Sequence, residues 1–233
     1  MRARTALATS ALMVGAVLTA NLAILALGIT FDYPGVLRKP AAEMVATFLE
    51  RPATLGTWFT LLAVSAALLA PVAWLIGRLS SRPAMRWAVR LGVAAACVQV
   101  VGLARWPLSM PGLAQGYASA TDPAAQAAAL QRIESLDYVL GTLVGETLGY
   151  VLTAAWVVLV LRALGRAFAG SGFMLLGIVA AALISTGVLT PLDVPGAAAA
   201  NLLGYVLWSV WMITFAVVLA KNASAARMPM ARG

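Results

Sequence analysis

Histidine is absent from the 233 residues, and cysteine occurs once, as Cys97. Haem ligation by His, zinc sites of His and Cys, Ser-His-Asp triads and thiol redox pairs therefore lack their residues, and no cofactor is expected. Cys97 has no partner thiol and sits mid-way along an apolar segment, so it reads as a small buried hydrophobe. Charge is scarce as well, at 10% of residues, with eight acids against sixteen Lys and Arg. Soluble domains carry about a quarter charged residues. So few acids also leave little material for a two-carboxylate active site.

What remains is apolar: 62% of residues are hydrophobic and the mean hydropathy is +0.93. The chain reads as a single six-helix transmembrane domain over residues 1–233, with the lipid bilayer as its main partner. The net charge of +8 does not indicate nucleic acid, because the basic residues punctuate apolar runs instead of forming a soluble face. Runs long enough to cross about 30 Å of hydrocarbon at 1.5 Å per residue fall at 5–30, 53–77, 87–106, 138–161, 171–190 and 198–220. No period-two alternation is present, and an open sheet could not satisfy its backbone in lipid, so the fold class is an all-α integral membrane protein. The first run is longer than the core of a cleaved signal, so Met1–Ile29 reads as an uncleaved signal anchor.

Eleven of the sixteen basic residues share one side: Arg2, Arg4, Arg78, Arg82, Arg86, Arg90, Arg162, Arg166, Lys221, Arg227 and Arg232. The Lys/Arg bias places that side, with both termini, in the cytoplasm, so the six spans run as three up-down hairpins. The eight acids then all fall on the outer side. Short interfacial helices are expected in the first two outer loops. In "KPAAEMVATFLERP", Pro40 opens a first turn and Met44, Phe48 and Leu49 share a side against Glu43 and Glu50. In "TDPAAQAAALQRIE", Thr121 or Asp122 serves as N-cap with Pro123 at N1.

Spans four and six share a pattern, Leu148-Gly149-Tyr150-Val151-Leu152 with Trp156 and Leu203-Gly204-Tyr205-Val206-Leu207 with Trp211. The preceding turns match in Pro107-Leu108 with Pro111-Gly112 and Pro191-Leu192 with Pro195-Gly196, which reads as an internal repeat of hairpins. Gly141, Gly145 and Gly149 recur every four residues on span four, a surface suited to close helix approach or to a membrane-protein partner. On the neighbouring row Tyr138, Thr142, Glu146 and Tyr150 share a face.

Glu146 is the residue that needs explaining, since an acid near the centre of such a helix costs roughly 2.5–3.5 kcal/mol on insertion scales. Asn21, Gln99, Arg105, Asn201 and Tyr205 fall at similar depth on other spans, which suggests an outward-facing polar cavity. Glu146, Arg105, Asn201, Asn21, Gln99, Tyr150 and Tyr205 are the candidate ligand-binding residues, with Arg105 or Asn201 as partner of Glu146. The alternative is a buried acid that joins helices by hydrogen bonds. Asp32, Tyr33, Arg38, Trp106 and Asp137 are candidate loop-structuring residues at the outer rim. Asp32 and Arg38 read as loop-locking charges, and Trp58 and Trp106 as members of an aromatic belt.

Three stretches, "FDYPGVLRKP" at 31–40, "GLARWP" at 102–107 and "LVGETLGYVLTAAW" at 143–156, together resemble a family of small bacterial membrane proteins catalogued as a domain of unknown function. The resemblance covers most of the chain and implies six helices. Gly35 stands where that pattern commonly carries an acid. Three functions follow as expectations: binding or transport of a small polar or amphiphilic molecule, an accessory subunit of a membrane complex such as an importer component, and an intramembrane enzyme. The last is disfavoured because Glu146 would be essentially its only base.

Overall fold

The computed structural model describes residues 3–225, so Arg2, Arg227 and Arg232 of the charge bias lie outside the described residues. The protein is all-helical, with no strand among the described residues. Six helices are long and apolar enough to cross a membrane: Ala3–Phe31, Pro52–Leu79, Pro83–Ser119, Pro123–Leu164, Arg166–Leu192 and Ala197–Ala225. Each contains the apolar run read from the sequence.

The breaks within these helices follow from proline and glycine. The second span is α3 (Pro52–Ala67) followed by α4 (Leu69–Ile76), because Pro71 has no N–H to offer the carbonyl four residues back. The third is α5 (Pro83–Leu108) continued by α6 (Met110–Ser119), with Pro107 and Pro111 at the junction. α7 (Pro123–Leu136) opens as expected, with the Asp122 carboxylate accepting a hydrogen bond from the Ala125 N–H at 3.1 Å. α7 then runs into a π-helical stretch, Asp137–Leu148, before α8 (Gly149–Leu164). α9 (Arg166–Ser185) is kinked at Ala169 and Gly170, the glycine at φ 81°, so the expected start of the fifth span at residue 171 coincides with the kink. A 3-10 turn, Thr186–Leu192, leads to α10 (Ala197–Ala225).

Between α1 (Ala3–Phe31) and α3 lies α2 (Ala41–Glu50), whose Met44, Val45 and Phe48 are buried. Its apolar side is therefore covered by its own chain. That side packs into a cluster with Phe31, Phe59, Trp106, Met110 and Ile133.

Contacts divide the described chain into two compact units. One comprises Leu18–Ala67 and Cys97–Leu148; the other holds the residues up to Val17, Leu68–Ala96, and those from Gly149 on. In the first, Trp106 is fully buried, stacked on Phe59 at 4.5 Å and met edge-on by Phe31 at 5.2 Å. Such pairs add about 0.5–1.5 kcal/mol each beyond simple burial. The belt position expected for Trp106 is thereby corrected, because α2 and α6 supply buried side chains to the same cluster.

In the second unit the aromatic residues of the shared Leu-Gly-Tyr-Val-Leu and Trp pattern meet in pairs. Tyr150 and Tyr205 lie 5.9 Å apart between ring centres, and Trp156 and Trp211 lie 5.8 Å apart. Each tryptophan presses on a glycine: a Cβ at Gly92 would come within 2.7 Å of Trp156 Cδ1, and one at Gly177 within 2.7 Å of Trp211 Nε1. Cys97, expected inside, is exposed on α5.

Candidate functional site

Arg105 stands two residues before Pro107 on α5 and is buried. A guanidinium so placed requires a partner, and it finds Asp137, 32 residues on. Arg105 Nε and Nη2 both donate to Asp137 Oδ1, at 2.9 and 2.7 Å, while Nη1 donates to the carbonyl of Gly102. The guanidinium also lies 5.1 Å from the Trp106 ring centre. The pair is enclosed on the arginine side, with the side chains 4% and 23% exposed for Arg105 and Asp137.

Asp137 opens the π-helical stretch, whose twelve residues form an unusually long segment of i→i+5 hydrogen bonding. Gly141 makes room for the ion pair, since a Cβ there would meet Arg105 Nη2 at 2.6 Å and Asp137 Oδ1 at 3.1 Å. One turn further, Gly145 meets Gly102 backbone to backbone: a Cβ on Gly102 would lie 2.5 Å from the Gly145 Cα and 2.9 Å from the Leu140 carbonyl. Two glycines within five residues weaken the α-helical register. They also let α5 approach too closely for any side chain.

Glu146, next along the stretch, is partly buried. The charges acting on it are those of Arg105, Asp137 and Arg38, yet among the described residues it makes no hydrogen bond or ion pair. Tyr33, packed edge-on against Phe59 at 5.3 Å, belongs to the same neighbourhood. Its phenol is pushed above its ordinary range, by burial first and then by the Glu146 carboxylate, with Arg105 acting in the opposite direction.

The preceding loop is tied by Lys39, which contacts Asp32 and Glu43 at 3.3 Å each. Hydrogen bonds to Glu43 and Asp32 raise the Lys39 pKa. The tie expected of Asp32 and Arg38 thus runs through Lys39 instead, and Arg38 is exposed with no ion pair among the described residues. Asp32 adopts φ 53°, and its carboxylate lies 3.1 Å from where a Gly35 Cβ would be. A side chain at position 35 would crowd it.

The remaining candidates divide between the two units. Asn21 is exposed on α1 and Gln99 partly buried on α5, both in the Arg105 unit. Asn201, Tyr150 and Tyr205 belong to the other unit. There the Asn201 amide donates to the Ile184 carbonyl at 2.7 Å, fastening α10 to the end of α9. Thr57 and Thr60 donate to the Ala53 and Gly56 carbonyls within their own helix at 2.9 and 2.7 Å. They line an open, mostly apolar groove of about 590 Å³ with Pro52, Gly56, Pro107 and Pro111. Gly102 and Lys39 are the residues that sequence reasoning passed over. Gly102 carried a weak signal, sitting three residues before Arg105.

Six helices long and apolar enough to cross a bilayer mark a multi-pass membrane protein. The chain belongs to the family described as "Domain of unknown function (DUF4386)", which matches residues 8–216. No curated protein and no solved structure matches the chain significantly.

Proposed function

We propose that this is an outward-open protein of the bacterial inner membrane, with both termini cytoplasmic, that binds or transports a small polar or amphiphilic molecule at Glu146. One observation carries the reading: Glu146 lacks a hydrogen-bond partner among the described residues, beside an Arg105–Asp137 pair that neutralises itself. Because Arg105 is committed to Asp137 and the exposed Arg38 makes no ion pair with Glu146, the carboxylate is left for something else to engage. A ligand bearing a positive charge or a strong hydrogen-bond donor meets that need. The long π-helical stretch supports the same reading, since such geometry concentrates at functional sites.

The matched Tyr150/Tyr205 and Trp156/Trp211 pairs favour the duplicated hairpin as the way the scaffold was built. An accessory-subunit role finds less support, because α5 of the same chain already lies against Gly141 and Gly145. Native mass spectrometry of the full chain in mild detergent tests the reading. A small-molecule adduct retained by the wild type and lost in Glu146→Gln, with helix content unchanged, is expected. An adduct held equally by both would contradict it.

A further inference from the structure

The connections between α4 and α5 and between α8 and α9 are brought together by two hydrogen bonds. Ser80 donates to the Ala163 carbonyl at 3.3 Å and Arg82 Nη1 to that of Arg162 at 3.4 Å. Around this junction lie Arg78, Arg82, Arg86, Arg90, Arg162 and Arg166, all exposed. Arg82, Arg86 and Arg90 follow at intervals of four, which puts Arg86 and Arg90 on one stripe of α5 continuing from Arg82. Among the described residues of this unit the one acid is Asp193, which follows the far end of the 20-residue α9. A helix of that length rises about 30 Å, so Asp193 does not reach the arginines. Neither α5 nor α9 has an acid in its first turn, where the helix dipole adds further positive character. No acidic side chain among the described residues of this unit therefore balances the charge.

Two tryptophans set the level of these arginines. Arg78 stacks over Trp74 at 4.1 Å and Arg90 over Trp87 at 4.8 Å, and the indoles are 56% and 54% exposed. Exposed indoles concentrate at the membrane–water boundary. A guanidinium held over an indole spends no N–H group on a salt bridge and can grip two oxygens of a phosphate at once. We infer that this junction is a binding surface for the phosphodiester headgroups of anionic phospholipids, with acyl chains lying against Trp74 and Trp87. The inference is independent of any ligand at Glu146.

The test uses the full chain in detergent with phosphatidylglycerol, phosphatidylcholine or inorganic phosphate added, read by native mass spectrometry of lipid adducts and by melting temperature. Phosphatidylglycerol adducts and stabilisation should exceed those of phosphatidylcholine. They should weaken roughly fivefold per arginine removed in Arg86→Gln/Arg90→Gln, and equally in Arg162→Gln/Arg166→Gln should the first pair fold poorly. Equal response to the two lipids would overturn the inference, as would adducts unchanged in a folded variant. So would stabilisation by inorganic phosphate equal to that by phosphatidylglycerol, which would make the surface a soluble-anion site.

Discussion

Arg105 and Asp137 show how much one contact can depend on residues that carry no charge. The pair forms because Gly141 leaves space for the guanidinium, and the two partners differ in what they lose when separated. Asp137→Asn leaves the Arg105 guanidinium buried without its counter-charge, for which about 3–5 kcal/mol is the usual cost of breaking a buried pair. Arg105→Gln should cost less, because the Asp137 side chain is 23% exposed and can recruit water. Melting temperatures of the two variants should fall in that order; the reverse order would mean that Asp137, not Arg105, is the enclosed member. The sequence made both residues legible as rim polar groups, but not as partners. A separation of 32 residues is set by how α5 and the π-helical stretch pack, and nothing in either local pattern encodes it.

At the level of elements, the spans were readable because hydrocarbon thickness fixes their length, and Asp122 because N-caps have a local chemistry. The π-helical stretch was not, since a change from i→i+4 to i→i+5 bonding leaves composition untouched. Its two glycines were visible, yet their partner Gly102 was hidden on another helix. Crossing there is tight enough that alanine is already too large: a Gly102 Cβ would meet backbone atoms of Gly145 and Leu140, which cannot rotate away. Gly102→Ala should therefore destabilise by about 1–3 kcal/mol through overpacking. Gly116→Ala, where a Cβ meets nothing within 4 Å in α6, should be neutral or stabilise by up to about 1 kcal/mol. Equal thermal stability of the two variants would show that α5 and the π-helical stretch do not pack this closely. Trp106 teaches the complementary lesson. An aromatic at a span end suggests a belt, whereas here the loop helix α2 and the span extension α6 join its cluster.

For the whole molecule, membrane residence followed from composition, while orientation rests on the arginine bias and the ligand reading rests on Glu146. The ligand reading requires water-soluble reagents to reach Glu146 from the outer side. Cys97 is exposed, so single cysteines belong in a Cys97→Ala background. In intact cells, an impermeant thiol reagent should label Ser119→Cys and leave Ser81→Cys unlabelled until the membrane is opened. The most direct measurement is the same labelling applied to Glu146→Cys. Modification from outside, at a rate well above that of Ser81→Cys, is the result expected of an outward-open binding residue. A Glu146→Cys that stays unreactive in intact and opened cells, while Ser119→Cys reacts, would place position 146 in a dry helix contact and contradict the ligand-binding account.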